Sequence, residues 1–392
     1  MAEASGARNR PGWNDSGLVT REAHHAARDA FREGVSTADS RADIDTALKA
    51  AAAAGIGLLH ENAGPHLSSA QDLADVLAAG DRGDGPEVIG YWAELVADKR
   101  QAEELAKLRE VRGLAGDLNV DGSIGSRTAS MRAPYSDLPD EGERACGNAY
   151  LSVEQVRDHV AACSLAGIQA GFHVIGDAGA DTVVEGIQAA VAQVGAACVA
   201  HARHRLEHLE MVSAGGIKAL AELKVTASVQ PMFDALWGGP HGMYAARLGG
   251  DRANGMNRFG SMAAAGMTLA FGSDTPVTPF APWQAVRAAA FHHEPYERIS
   301  VAAAFQAHTR GGWLAAGIRD RGYLEVGQPA SFAVWSVGGW GPQGSPSQPD
   351  ELRLPDLTPG EPLPTHPPTV HRWLAAFVRS GAPSSAPPPR RS

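Results

Sequence analysis

From about residue 36 onward, short apolar runs alternate with amphipathic stretches, and this rhythm restricts the chain to a parallel α/β architecture in which helices connect successive strands. The strand candidates are residues 55–60 (GIGLLH), 88–93 (VIGYWA), 116–121 (GDLNVD), 168–173 (IQAGFH), 205–208 (RLEH), 225–230 (VTASVQ) and 268–274 (TLAFGSD). Between them, Ser152 and Gln155 form the start of a capping box, followed by Val153, Val156, Val160 and Cys163 at helical spacing. Val183, Val184, Ile187, Val191 and Val194 mark the apolar face of the next crossover helix. With 392 residues, of which 44% are hydrophobic, the chain can fill one large core and a small appendage.

The residues able to carry chemistry cluster by position. Asp117 lies in a strand candidate, and His173, His208 and Asp274 lie at strand C-terminal ends. In a (β/α)₈ barrel those ends converge on one face, where active sites of this fold are built. Singly, a strand-end histidine is more often a hydrogen-bonded structural residue, and a strand-end aspartate a helix cap. Together they point to metal ligation or proton transfer. The alternation in 116–122 places Asp117, Asn119 and Asp121 on one strand face, where buried acids require a cation or hydrogen bonds.

Further candidates have two readings each. Arg127, in the glycine-rich GSIGSR loop, contacts substrate or anchors the loop to an acidic neighbour. Glu207 supports His208 from behind or forms an ion pair in the core. Gln230, with Met232, Phe233 and Trp237 after it, lines an apolar substrate pocket or packs the barrel rim. His60 reads as structural.

The formal net charge of −10 argues against a nucleic acid partner. Three scattered cysteines, Cys146, Cys163 and Cys198, make neither a disulfide framework nor a CxxC zinc site and suit a reducing compartment. The first thirty residues contain no apolar run of signal or membrane length, so a cytoplasmic location without a membrane partner is expected. A homo-oligomer is left open.

Five motifs in order, DGSIGSRTA (121–129), FHVIGD (172–177), HRLEH (204–208), SVQP (228–231) and FGSDTPV (271–277), resemble amidohydrolase family 3, which includes YtcJ-like proteins and N-substituted formamide deformylases. HTRGGWLAAG (308–317), GYLEVGQPASFAVW (322–335) and PDLTPGEPLPT (355–365) extend the resemblance over most of 17–375. It implies a TIM-like (β/α)₈ barrel over 17–321 holding a divalent metal, usually zinc, that activates water. By position, His173 and His208 resemble the metal ligands of the middle strands. Asp274 resembles the final-strand aspartate that binds metal and water and moves the water's proton, and Asp117 stands where many relatives carry a carboxylated lysine. Asp121 and Glu207 would support these ligands, and Arg127, Gln230 and Trp237 would contact substrate.

The His-x-His pair that closes the family's first strand is absent from the chain. The expectation is therefore a barrel lacking its opening strand and a natural active enzyme longer at its N-terminus. Residues 322–378 are expected to be the remnant of a small β-sandwich domain, with strands around a Gly-Gln-Pro turn, and 379–392 a disordered tail. The expected reaction is hydrolysis of a non-peptide C–N bond in a small linear or N-substituted amide. The alternatives are an inactive truncated homologue and an aminohydrolase acting on an amidine or ring carbon.

Overall fold

Among the described residues seven parallel strands, β1 (Leu58–Ala63), β2 (Glu87–Trp92), β3 (Gly113–Leu114), β4 (Gln169–Val174), β5 (Arg205–His208), β6 (Thr226–Val229) and β7 (Thr268–Phe271), pair strictly in chain order. The structure, a computed structural model, describes residues 6–335 apart from 17, 18, 20, 66, 139–141 and 330. Two helices precede the sheet, α1 (Arg21–Glu33) and α2 (Thr37–Ala53). The connections carry α3 (Ala70–Asp81), α4 (Lys99–Arg109), α5 (Val153–Ala166), α6 (Asp177–Val194), α7 (Ala196–Ala202), α8 (Ala214–Glu222), α9 (Pro231–Trp237), α10 (Met243–Leu248), α11 (Gly250–Asn254) and α12 (Phe259–Ala264). After β7 come α13 (Pro282–Ala290), α14 (Val301–His308) and α15 (Arg310–Ala315).

The crossover helices form where the sequence predicts them. Ser152 caps α5 in a reciprocal capping box with Gln155, and Val156, Val160 and Cys163 on its inner face are fully buried. Val183 and Ile187 of α6 are buried likewise. Among the described residues no single helix is long and apolar enough to cross a membrane.

The sheet is the curled wall of a TIM-like barrel, and among the described residues it has one strand fewer than a closed (β/α)₈ barrel. Its curl is visible in one contact: Arg205 on β5 donates from Nη1 to His60 Nδ1 on β1, 2.9 Å away across the interior. The same guanidinium donates to Ser228 Oγ on β6 at 2.9 Å and lies over the Tyr91 ring of β2 at 4.4 Å. Among the described residues the outer edges of β1 and β7 have no strand partner. Helix α15 spans that gap. A Cβ on its Gly311 would lie 2.3 Å from Leu269 O of β7, and one on Gly312 would lie 3.6 Å from Leu58 Cδ2 of β1.

All seven expected strands form, but the third differs. Its ladder lies at Gly113–Leu114 rather than 116–121, and the later segment keeps only an isolated parallel bridge between Asn119 and His173. Gly116 is the cause. It has φ +92, and a Cβ there would lie 2.8 Å from Asn62 Cβ, so the chain turns tightly against β1 and leaves the strand's two-residue period. The expected common face for Asp117, Asn119 and Asp121 is therefore not formed: Asp117 is half-buried, Asn119 exposed and Asp121 fully buried.

Within residues 322–335 no strand is assigned, since no partner strand lies beside them among the described residues, although the Trp335 ring packs on Trp283 at 5.7 Å. The rest of the expected sandwich remnant and the 379–392 tail lie outside the described residues.

We expect Gly116→Ala to destabilise the fold by about 1–3 kcal/mol, because it combines a left-handed backbone with a blocked Cβ. A urea unfolding midpoint equal to wild type would contradict this reading of the third strand.

Candidate functional site

The C-terminal ends of the strands gather most of the candidates. His173 lies on β4 and His208 ends β5, while Gln230 follows β6 directly. Asp274 lies three residues past β7 and Asp117 three past β3. His208 and Asp274 both adopt left-handed backbone, φ 69 and φ 55. Non-glycine residues in that region carry about 1–3 kcal/mol of strain, which tertiary structure must impose.

The two imidazoles meet edge to face with ring centroids 4.6 Å apart. His173 Nε2 donates to Gly122 O at 3.0 Å, leaving the Nδ1 lone pair. His208 Nδ1 donates to Gln230 Oε1 at 2.8 Å, so that the neutral form of the ring keeps its lone pair on Nε2. Such an outer hydrogen bond fixes the tautomer of a metal-binding histidine. Gln230, expected to touch substrate, here orients His208.

The electrostatics centre on His208. Burial disfavours its charged form, but the carboxylates of Asp274, Glu210, Glu207 and Asp117 outweigh that and raise its pKa. Asp117 is pushed up to about 6 by burial, opposed by His208 and reinforced by Asp274 and Glu207. Burial raises Asp274 too, again opposed by His208. His173 is driven down to about 3 by burial and by His208, so it is neutral near pH 7. An acid-rich, partly desolvated pocket with two neutral-capable imidazoles suits a cation.

The donor types and open lone pairs fit a divalent ion. The side chains are not drawn together around one: among the described residues no group of three or more His, Cys, Asp or Glu side chains is close enough to hold a metal.

Other candidates have plainer tasks. Asp121 accepts hydrogen bonds from the backbone N–H of Ser130, Ile175 and Gly176 at 2.9, 2.9 and 2.7 Å, pinning the glycine-rich loop to the end of β4. Its Oδ1 stands 4.0 Å from His173 Nε2. Arg127 is held in a bidentate pair with Asp137 at 3.1 and 2.8 Å, the loop-anchoring alternative. Glu207 forms a buried ion pair with Arg205, the core alternative. Trp237 packs on Phe233 at a tilt of 51° with ring centroids 4.7 Å apart, and Phe233 in turn lies flat on the His208 ring at 5.7 Å and 10°. His60 is half-buried, with Arg205 on its Nδ1 and its Nε2 buried without a partner.

Sequence reasoning missed Glu210, Glu61 and Arg28. Glu210 is buried and pushed up to about 7 by burial, against the pull of His208. Its place two residues after His208 was a usable signal. Glu61 and Arg28 couple electrostatically to Asp117. Arg28 lies on α1, far from Asp117 in sequence, so their approach is a tertiary event with no local signature.

Over residues 4–357 the chain matches the amidohydrolase family. It belongs to that family. The chain is 30% identical over 231 residues to the protein LONG AFTER FAR-RED 3 of Arabidopsis thaliana, a match covering 56% of this chain and 38% of the relative. It is 26% identical over 257 residues to YtcJ of Bacillus subtilis strain 168, an amidohydrolase by name, covering 60% of this chain and 44% of that protein. The matches thus span less than half of these curated relatives. Among solved structures, an uncharacterised metal-dependent hydrolase from Pyrococcus furiosus superposes with a TM-score of 0.64 at 23% identity, covering 84% of this chain and 68% of that one. That likeness establishes the shared fold.

Replacing Glu207 with Ala leaves the Arg205 charge buried and uncompensated, so we expect a stability loss of about 3–5 kcal/mol. The paired Arg205→Met/Glu207→Leu variant should lose less. Denaturant unfolding of both checks this, and an unchanged midpoint for Glu207→Ala would move Glu207 from the core to the support of His208.

Proposed function

We propose that this amidohydrolase cleaves a non-peptide C–N bond of a small linear or N-substituted amide by water attack at the mouth formed by the strand C-terminal ends. The observation that supports this most is the electrostatic linkage of His208 with Asp274 and Asp117 at that mouth, beneath the flat apolar cover of Phe233.

His173 and His208, with Asp117 as the oxygen donor, are the residues that would hold a divalent metal, zinc by donor type, with Asp274 beside it. When bound, the metal polarises the carbonyl and makes water more acidic. The chain's own residues do the rest. Gln230 keeps His208 in one tautomer, and Gly122 O does the same for His173. Asp274, its pKa raised by burial, takes a proton from the attacking water and returns it to the leaving nitrogen, so that amide and water become acid and amine. Phe233 and Trp237 supply an apolar wall against which an acyl or N-alkyl group packs while water is excluded.

A non-catalytic homologue is the rival reading, favoured by the open donor set among the described residues. Metal uptake separates the two. After dialysis, elemental analysis should show about one equivalent of zinc in the wild type and none in His173→Ala/His208→Ala. A wild type without metal would favour the rival.

In a screen of N-substituted formamides, linear amides and Xaa-Pro dipeptides, turnover is expected with the amides. Asp274→Asn should lower it by about 10²–10⁴ with metal content preserved, because shape and hydrogen bonding remain while the proton acceptor is removed. Undiminished turnover would remove Asp274 from proton transfer, and cleavage of the dipeptides alone would overturn the bond class.

A further inference from the structure

At the opposite, N-terminal end of the strands lies a cavity of about 620 Å³. Arg112 precedes β3, Gln169 begins β4, Arg203 stands just before β5 and Lys224 just before β6, while Arg319 follows α15. These residues line it together with His201 of α7, and no Asp or Glu is among the lining residues. In a chain of net charge −10, four permanent cations around one hollow are against the overall trend.

Two observations separate this hollow from an ordinary basic surface. First, none of Arg112, Arg203, Lys224 and Arg319 is in an ion pair with a described side chain, so their mutual repulsion is not neutralised within the described fold. The backbone leaves room for one of them: a Cβ at Gly317, with φ +73, would lie 2.6 Å from Arg112 Nη2. Second, Gln169 is only 5% exposed and its Nε2 donates to Ala315 O at 2.8 Å and to Arg203 O, which leaves Oε1 buried without a partner. An unsatisfied buried acceptor beside a group of cations calls for a ligand with both negative charge and a hydrogen-bond donor.

We propose that this cavity binds a small phosphate ester, with its phosphate held by Arg112, Arg203 and Lys224 and a hydroxyl of its organic part donating to Gln169 Oε1. Guanidinium forks match phosphate oxygens in pairs, and a doubly charged phosphate offsets several cations where a single carboxylate would not. The volume lies within the range of about 300–1,000 Å³ usual for small-molecule sites, and the concave shape with the chain's negative charge disfavours a polyanionic macromolecule. The site is separate from the hydrolase mouth, and the proposal does not depend on the substrate proposed there.

Isothermal titration of the full chain at low salt, with ribose 5-phosphate, ribose and inorganic phosphate as probes, tests this. Ribose 5-phosphate should bind at least about tenfold more tightly than either other probe, since each lacks one of the two recognised groups. Lys224→Ala and Arg112→Ala, both at exposed side chains, should each weaken it by about tenfold or more while thermal melts stay at the wild-type position. No heat with ribose 5-phosphate at millimolar concentration, or binding unchanged in both variants, would overturn the site. Equal affinity for inorganic phosphate would overturn the ester and the role given to Gln169.

Discussion

A buried guanidinium holds the curl of this sheet. Arg205 rises from β5 into the barrel interior, where it is paired with Glu207 of its own strand and reaches His60 of β1, Tyr91 of β2 and Ser228 of β6. Desolvating such a charge is expensive, and the arrangement is stable only because Glu207, the imidazole and the hydroxyl all answer it at once. Tyr91 and His60 stand on the far wall, so the Arg205–His60 hydrogen bond sets the distance between β1 and β5 in a sheet whose edges carry no strand partner among the described residues. Helix α15, lying across the gap, works in the same direction from outside.

The curl brings the strand C-terminal ends to one mouth, and the chemistry there follows from crowding. Asp117, Asp274, Glu207 and Glu210 surround one imidazole, His208, whose proton they favour while burial raises the affinity of Asp117, Asp274 and Glu210 for their own. A pocket so poised exchanges protons readily and attracts cations. The left-handed backbones of His208 and Asp274 show that the surrounding fold imposes this crowding against local preference. The opposite face of the same barrel gathers cations instead, so the two ends of one sheet offer opposite fields.

Much of the architecture was legible because it rests on periodicity. The seven strands and the buried faces of α5 and α6 follow from alternation and helical spacing, and β5 lies where RLEH places it. The third strand was misplaced because a polar-apolar alternation over 116–122 imitates a strand, while the close approach of Gly116 to Asn62 that breaks it is a tertiary constraint. At the site, His173, His208 and Asp274 were visible as strand-end residues. What their neighbours do was not: whether Arg127 faces substrate or Asp137, and whether Glu207 faces His208 or Arg205, depends on which partner the fold brings near. Arg28 and the cationic hollow escaped for the same reason, since their residues are scattered along the chain and meet only in space.

The central claim is that His173 and His208 are two ligand-ready imidazoles held in opposite tautomers by Gly122 O and Gln230. Long-range ¹H–¹⁵N correlation spectra of histidine-labelled protein, recorded before and during zinc addition at a pH high enough to remove the second proton that the surrounding carboxylates favour on His208, observe this directly. The account predicts a proton on Nε2 of His173 and on Nδ1 of His208, with zinc shifting the unprotonated nitrogen of each ring. Reversed tautomers, or spectra in which neither ring responds to zinc, would contradict it.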